Sequence, residues 1–122
     1  MTAPDAEARA GAVFDALADP TRRSVLRTVA ERGPLTATAL AASLPISRQA
    51  VSKHLGVLHA AGLVAADRVG REVRFAAVPD RMREAGRWLA ATGAAWDARL
   101  DRLVARAGAG GVSGRDGPAG RE

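Results

Sequence analysis

The sequence contains no cysteine and no tyrosine, and only four of its 122 residues are aromatic. Without cysteine, disulfide bonds and metal sites built from thiolates are excluded, and the composition fits a reducing cytosol. No run of about 18 consecutive apolar residues occurs, so no membrane partner is expected. Residues 1–7 also lack the basic residues followed by an apolar stretch that are typical of a secretory signal.

The few aromatic residues and the abundant alanine predict a thin hydrophobic core. A chain of this length suits one domain, and a dimer interface would help such a chain to bury its apolar surface. We predict a single domain over residues 6–106. Residues 107–122 are rich in glycine and too poor in apolar side chains to order themselves, so a disordered tail is expected there.

Positive charge is concentrated in the middle of the chain. The formal net charge is +5, yet acidic and basic residues cancel over residues 1–33. The surplus begins at residue 48 and extends to residue 74. It comes from Arg48, Lys53, Arg68, Arg71 and Arg74, against Asp67 and Glu72. A basic surplus favours polyanionic partners but says nothing about the fold.

Capping residues and apolar periodicity predict four helices in the first half of the chain. The first covers residues 7–17, and the second carries Val25, Leu26 and Val29 inward and ends at Gly33. The other helix boundaries are marked by side-chain oxygens that can cap an N-terminus and by one glycine that can form a left-handed C-terminal cap. They are Asp19, Thr36 and Ser47 for the starts of helices two to four, and Gly62 for the end of the fourth.

The residue pattern in the second half of the chain predicts a β-hairpin followed by a last helix. Over residues 64–78, Val73, Phe75 and Ala77 alternate with more polar positions after a turn at Gly70, which indicates a hairpin with one buried face. A helix from Pro79-Asp80 to about residue 106 follows. Its apolar stripe consists of Ala85, Leu89, Trp96, Leu100 and Leu103. The predicted fold is mainly α with a small β-hairpin, a dimeric winged helix-turn-helix of order α-α-α-α-β-β-α.

The third and fourth helices have the layout of a helix-turn-helix, whose second helix enters the DNA major groove. At 100° per residue, one side of helix 47–61 carries Val51, His54, Leu55, Leu58 and Ala61. The opposite side carries Gln49, Ser52, Lys53 and Gly56, with Arg48 and His59 at its edge. We therefore expect the apolar side to pack on the domain and the polar side to contact double-stranded DNA.

The residue types on the polar side suit DNA contacts. Gln49 can pair with adenine through two hydrogen bonds, and Ser52 can bond several base edges. Arg48 suits either guanine or phosphate, and Lys53 suits phosphate. Gly56 permits close approach to the groove, or is simply tolerated. Ser47 precedes this set.

The hairpin forms the predicted wing. Arg68, Arg71 and Arg74 surround its turn, where they suit phosphate contacts or entry into the minor groove. An exposed hairpin kept soluble by charge is the alternative. Arg71, nearest the tip, is the strongest candidate of the three.

Three segments together resemble the ArsR family of bacterial winged-helix regulators. They are FDALADPTRRSVL at residues 14–26, SRQAVSKHLGVL at 47–58 and AGLV at 61–64, within a resemblance that covers roughly residues 10–103. The resemblance implies a cytoplasmic homodimer that represses transcription from a palindromic operator. It also implies a dimer interface formed by the first and last helices. The expected interface residues are Phe14, Leu89, Trp96, Leu100 and Leu103.

The chain departs from relatives that sense metals. The region 36–44, where many of them carry cysteines, has none, and no histidine follows Asp80 and Glu84 in the last helix. A transition-metal site and a cofactor are therefore not expected, and the chain resembles a metal-independent branch. Trp88 and Trp96 are expected to pack at the dimer interface, with a ligand pocket as the alternative. The effector, if one exists, is left open.

Two other classes of function compete with a DNA-binding regulator. A winged helix used for protein interaction would favour acidic or apolar residues on this helix, and the residues present disfavour it: Arg48, Gln49, Ser52 and Lys53. An enzyme is disfavoured, because the sequence has no cysteine nucleophile, no glycine-rich phosphate loop and no metal-ligand cluster. His54 and His59 have no carboxylate within evident reach. We expect His54 to be packed and hydrogen-bonded.

Overall fold

The computed structural model describes residues 3–109, which divide between two units, Met1–Trp88 and Leu89–Glu122. The elements are α1 (Ala3–Ala16), α2 (Pro20–Arg32), β1 (Leu35–Thr36), α3 (Ala37–Ser43), α4 (Arg48–Ala60), β2 (Val64–Val69), β3 (Glu72–Ala77) and α5 (Asp80–Ala109). The predicted order of helices and hairpin is confirmed, with one additional strand. Helix α5 continues beyond the predicted end at residue 106, and residues 110–122 of the predicted tail lie outside the described residues.

The helices of the first unit bury one apolar stripe each. Asp19 begins α2, because its Oδ1 accepts a hydrogen bond from the backbone N–H of Thr21 at 2.8 Å. The predicted inward positions Val25, Leu26 and Val29 are buried. The largest fully buried side chains are Leu40, Leu55, Leu58, Leu63, Val13, Val25, Val29 and Val51. Each contributes roughly 1.5–3 kcal/mol of hydrophobic stabilisation.

A three-stranded antiparallel sheet replaces the simple hairpin that the sequence predicts. Its strand order is β1-β3-β2, with Leu35 opposite Phe75 and Thr36 opposite Arg74. The short β1 directly precedes α3, and Thr36 also caps that helix by accepting from the N–H of Ala39 at 3.0 Å. One residue therefore belongs to the sheet and starts the helix-turn-helix.

The hairpin turns where the sequence predicts, but its buried face is shorter than expected. Gly70 has a φ of 64°, and Val69 lies opposite Glu72 on either side of the turn. Phe75 and Ala77 are half-buried, whereas Val73 is exposed, so its predicted burial is wrong. The strands extend past the edge of the core, so only their base has core residues to pack on.

In the first unit, Phe14 and Trp88 are partners within one chain. Their ring centroids are 6.0 Å apart and their planes are tilted by 58°. Trp88 also packs against the buried core, so only the exposed part of its indole is available for the predicted interface. Phe14 lies at the surface with 36% of its area exposed.

The described part of the second unit, residues 89–109, is helical. The predicted apolar stripe of Leu89, Trp96, Leu100 and Leu103 is between 43% and 55% exposed. The guanidinium of Arg99 lies 5.5 Å from the centroid of the Trp96 ring. None of the helices within residues 3–109 combines the length and apolar character that crossing a lipid bilayer requires.

Candidate nucleic-acid interface

The start of α4 is fixed by its capping residue. The Oγ of Ser47 accepts a hydrogen bond from the backbone N–H of Ala50 at 3.1 Å, and the φ and ψ of Ser47 are extended. This bond satisfies one of the N–H groups that have no partner inside the helix. Arg48 is therefore held as the first helical residue, with the residues after it in a defined angular order.

Helix α4 separates an anchored side from an open side, as the sequence predicts. Val51, Leu55 and Leu58 are completely buried, and they attach the helix to the core of the first unit. The predicted contact residues on the opposite side are all exposed to solvent: Ser47, Arg48, Gln49, Ser52, Lys53 and Gly56. Polar side chains of this side are thus exposed to a ligand from residue 47 to residue 53, and the position of Gly56 is open beyond them.

A groove brings three of the predicted contact residues together. It has a volume of about 660 Å³ and is bounded by the start of α3, the first two turns of α4 and the wing. Arg48 and Ser52 line it from α4, and Arg71 lines it from the wing tip. Gln49, Lys53 and Gly56 lie along the open side of α4 outside this groove.

Thr38 is a groove residue that sequence reasoning missed. The Nε of Arg48 donates a hydrogen bond to the Oγ1 of Thr38 at 3.0 Å. Both residues are exposed, and the bond joins the first turn of α3 to the first residue of α4. Only the angle between the two helices brings these side chains together, and no local sequence signal encodes that angle.

The three arginines of the wing have different surroundings. Arg71 follows Gly70 at the tip, and Arg68 lies opposite the exposed Val73. Arg74 is paired: its Nη2 donates to the Oε1 of Glu72 at 3.0 Å. It also lies opposite Asp67 in the sheet. Its charge is largely compensated within the wing, whereas Arg68 and Arg71 form no ion pair with the residues that the structure describes.

The end of α4 is closed by a glycine cap. Gly62 has a φ of 78°, and its backbone N–H donates to the carbonyl of His59 at 3.0 Å. The N–H of Leu63 donates to the carbonyl of Leu58 at 2.9 Å. This pair of bonds is a Schellman motif, with the apolar contact between Leu58 and Leu63 that accompanies it. The chain leaves α4 in a defined direction and enters the wing.

A small polar cluster lies beneath α4. Burial raises the pKa of Asp19, but hydrogen bonds from the N–H groups of Arg22 and Thr21, with the nearby His54 and the Arg22 charge, outweigh it and hold this pKa below its usual value of 3.8. His54 is half-buried, and its Nδ1 has no hydrogen-bond partner among the described residues. The expected packing of His54 is confirmed. The hydrogen bond expected for His54 is not found at its Nδ1. The expected lack of a nearby carboxylate is wrong, because Asp19, the cap of α2, lies near His54.

Metal ligands do not cluster in the part of the chain that the structure describes. Within residues 3–109 no three histidine, aspartate or glutamate side chains come together in a set that could hold a metal ion. Glu84, one of the two acidic residues singled out in the last helix, instead forms an ion pair with Arg9.

Comparisons with known proteins agree with this geometry. A family model described as a helix-turn-helix domain matches residues 17–65. A curated relative, the uncharacterized HTH-type transcriptional regulator YuzN of Bacillus subtilis, is 46% identical over 66 residues, which are 49% of this chain and 72% of the relative. The region matched by the family model, residues 17–65, contains α3 and α4, which line the groove together with the wing.

Solved structures extend the match to most of the chain. The ArsR-like transcriptional regulator from Rhodococcus sp. RHA1 is 42% identical, with a TM-score of 0.74 over 80% of this chain and 91% of that one. A homodimeric winged helix-turn-helix DNA-binding domain from Mycobacterium bovis, described as a possible ArsR-family regulator, is 27% identical. Its TM-score is 0.56 over 73% of this chain and 80% of that one. The chain therefore belongs to the ArsR family and is a DNA-binding transcriptional regulator with a winged helix-turn-helix.

Proposed function

We propose that the chain is a homodimeric repressor that occupies a palindromic operator without a metal ion. The observation that carries the proposal is the open polar side of α4 beside the wing. Arg48, Ser52 and Arg71 line one groove, and Gln49 and Lys53 continue the polar side along the helix. A helix of this kind fits the major groove, and a basic wing fits the adjacent backbone.

Each proposed contact residue has a chemical role. Gln49 pairs with adenine, Ser52 bonds a base edge, and Lys53 neutralises a phosphate. Gly56 lets the helix backbone approach the DNA major groove because it has no side chain, and the protein leaves the space beside it open, since a Cβ built there meets nothing within 4 Å. Ser47 exposes its hydroxyl at the helix start. In the wing, Arg68 and Arg71 bind phosphates or the minor groove. Arg74 contributes less to DNA binding because its ion pair with Glu72 compensates its charge.

The dimer is proposed from the apolar stripe of α5. Leu89, Trp96, Leu100 and Leu103 stay about half exposed, which is costly for a lone helix and typical of an interface. Phe14 of α1 remains a predicted interface residue. The Mycobacterium bovis domain is described as homodimeric. A two-fold dimer presents two copies of α4, so the proposed operator is a palindrome.

Metal independence is proposed from the donor chemistry of this chain. The sequence offers no thiolate and two histidines, of which His54 is half-buried beside Asp19 and His59 is exposed at the end of α4. We expect added zinc or a chelator to leave the affinity for the operator unchanged. A tenfold change in either direction would contradict this part of the proposal.

Selection of DNA by the purified full chain tests the function as a whole. Random duplexes retained by the protein are sequenced, and the enriched motif is placed upstream of a reporter gene. We expect a motif with two-fold symmetry whose half-site centres are about 10 base pairs apart, and lower transcription when the protein is present. Weak binding without an enriched motif would instead favour a protein-interaction module, and higher transcription would contradict a repressor.

A further inference from the structure

The side chain of Arg48 is held from one side before any ligand arrives. Its Nε donates to the Oγ1 of Thr38 at 3.0 Å, so the first residue of α4 is joined to the first turn of α3. Thr38 has no role in the function proposed above. Both residues line the groove in which Ser52 and Arg71 are found.

This bond determines which edge of the guanidinium remains available. An arginine side chain has five N–H donors in a planar fork. The Nε–H is donated to Thr38, and the side chain of Arg48 makes no other hydrogen bond among the described residues. The two terminal Nη groups therefore form the edge that can meet a ligand end-on. That edge matches the O6 and N7 acceptors of guanine in the major groove.

The position of Arg48 on the helix favours a base over a phosphate. Arg48 and Ser52 are four residues apart, so they lie on the same side of α4, one turn above the other. Both line the groove, and the N-terminal residues of a recognition helix are those that contact base edges. A side chain held in one orientation also loses less conformational freedom on binding.

We propose that Thr38 is a specificity-determining positioning residue, which holds Arg48 so that its two Nη groups recognise a guanine in each half-site. The inference rests on the proposed sequence-specific binding and names one base of its target. Thr38 acts through Arg48 and is not itself expected to contact a base.

The test uses variants that remove or keep the hydroxyl. Thr38→Val keeps the shape of the side chain, Thr38→Ala suits a helix, and Thr38→Ser keeps the hydroxyl. Each full-length protein is titrated with the selected operator and with operators carrying every other base at each half-site position. We expect Thr38→Val and Thr38→Ala to reduce the preference for guanine at one position by about twofold to tenfold. Thr38→Ser should keep it, and affinity for random DNA should not change.

A second background shows that the effect passes through Arg48. Arg48→Lys keeps the charge but lacks the planar fork. In that background Thr38→Val should change no base preference further. Thermal unfolding of each variant is compared with wild type, and the two hydroxyl-free variants serve as checks on each other's folding.

Several outcomes would overturn the proposal. Unchanged base preference in both hydroxyl-free variants would do so, as would an effect that persists in the Arg48→Lys background. If Arg48 bound a phosphate, removing the hydroxyl would weaken binding to all sequences alike, which also contradicts it. A wild-type protein that selects no motif would refute the proposed function itself, whereas a normal motif with indifferent Thr38 variants refutes only this inference.

Discussion

Arg9 of α1 and Glu84 of α5 form a two-point ion pair within the first unit. The Nε of Arg9 donates to the Oε1 of Glu84 at 2.7 Å, and its Nη2 donates to the Oε2. About four fifths of each side chain is buried. Arg81 adds a second cation, with its Nη1 3.5 Å from the Oε1 of Glu84. The pair therefore attaches the start of α5 to α1, 75 residues away in the sequence.

The Arg9–Glu84 pair should make stability depend on pH in the acid range. The hydrogen bond from Arg9, with the charges of Arg9 and Arg81, outweighs burial and holds the pKa of Glu84 below its usual value of 4.5. A lowered pKa contributes stability that is complete above the unfolded value and is lost as pH falls through the folded value. We expect the stability difference between wild type and Glu84→Gln to be constant near neutral pH and to shrink below about pH 4.5, as measured by urea unfolding at each pH.

Glu31→Gln is the matched control for this prediction. Glu31 is exposed near the end of α2, so its substitution should leave the dependence of stability on pH as it is in wild type. Equal profiles for Glu84→Gln and Glu31→Gln would show that the ion pair does not stabilise the fold.

Removal of the cap of α4 should weaken the fold. Ser47→Ala loses the hydrogen bond to the N–H of Ala50, and N-cap losses of this kind cost about 1 kcal/mol in the free energy of unfolding. Ser24→Ala is the control, since the hydroxyl of Ser24 bonds the carbonyl of Pro20 from within α2 and alanine is the better helix former. Equal chemical stability of the two variants would contradict the capping role.

The same substitution at two glycines should have opposite effects. Gly62→Ala places a Cβ at a φ of 78° and 2.8 Å from the Cγ of Arg81, so we expect a loss of about 1–2 kcal/mol. Gly56→Ala meets nothing within 4 Å inside α4, so we expect a gain of about 1 kcal/mol. Denaturant unfolding measures both. A stabilising Gly62→Ala would contradict the left-handed cap.

Two neighbouring residues of α4 should separate affinity from specificity. Lys53→Ala should weaken binding to all DNA alike and lower the slope of log affinity against log salt by about 1, because one phosphate contact is lost. Gln49→Ala should mainly relax the base preference, by about 1–3 kcal/mol at one position. Titrations of operator and random duplexes at several salt concentrations measure both. Equal losses on both duplexes for Gln49→Ala would refute its role.

A charge on the stripe of α5 should separate the protomers. Leu100 is 43% exposed in one chain, and an unpaired glutamate buried in the proposed interface would raise the dissociation constant of the dimer by about tenfold or more. Ala98→Glu is the control, since position 98 lies on the opposite side of the helix. Sedimentation velocity measures both. Dimers of Leu100→Glu as stable as those of Ala98→Glu would exclude this interface.

Local signals explain why most of the helices could be predicted. Asp19, Thr36 and Ser47 cap their helices, and Gly62 ends α4, through bonds to residues a few positions away. Such bonds can be predicted from the nearby sequence, because both partners lie within a few residues of each other. Strand β1 is different, because Leu35 becomes a strand residue only when Phe75 lies beside it, 40 positions later. The exposure of Val73 likewise depends on where the core ends.

The candidate interface could likewise be predicted where it depends on one helix, but not where it depends on how helices pack together. The open and anchored sides of α4 follow from its periodicity alone, since each residue turns by a fixed angle. The bond between Thr38 and Arg48 depends on how α3 crosses α4, and the approach of Asp19 to His54 depends on how α2 packs beneath α4. Periodicity describes one helix at a time and contains no information on such angles.

Thr36 belongs to the sheet and also caps α3, and this has a mechanical consequence. Because this residue pairs with Arg74 in the wing and also caps α3, the wing and the helix-turn-helix are attached to each other at a second point besides Gly62. The distance between α4 and the wing, the two parts proposed to contact DNA, is then fixed by the protein and does not adjust to the DNA. A duplex with unsuitable groove widths must bend or twist to fit, so we expect flexible base steps beside the half-sites to be favoured even where no side chain touches them.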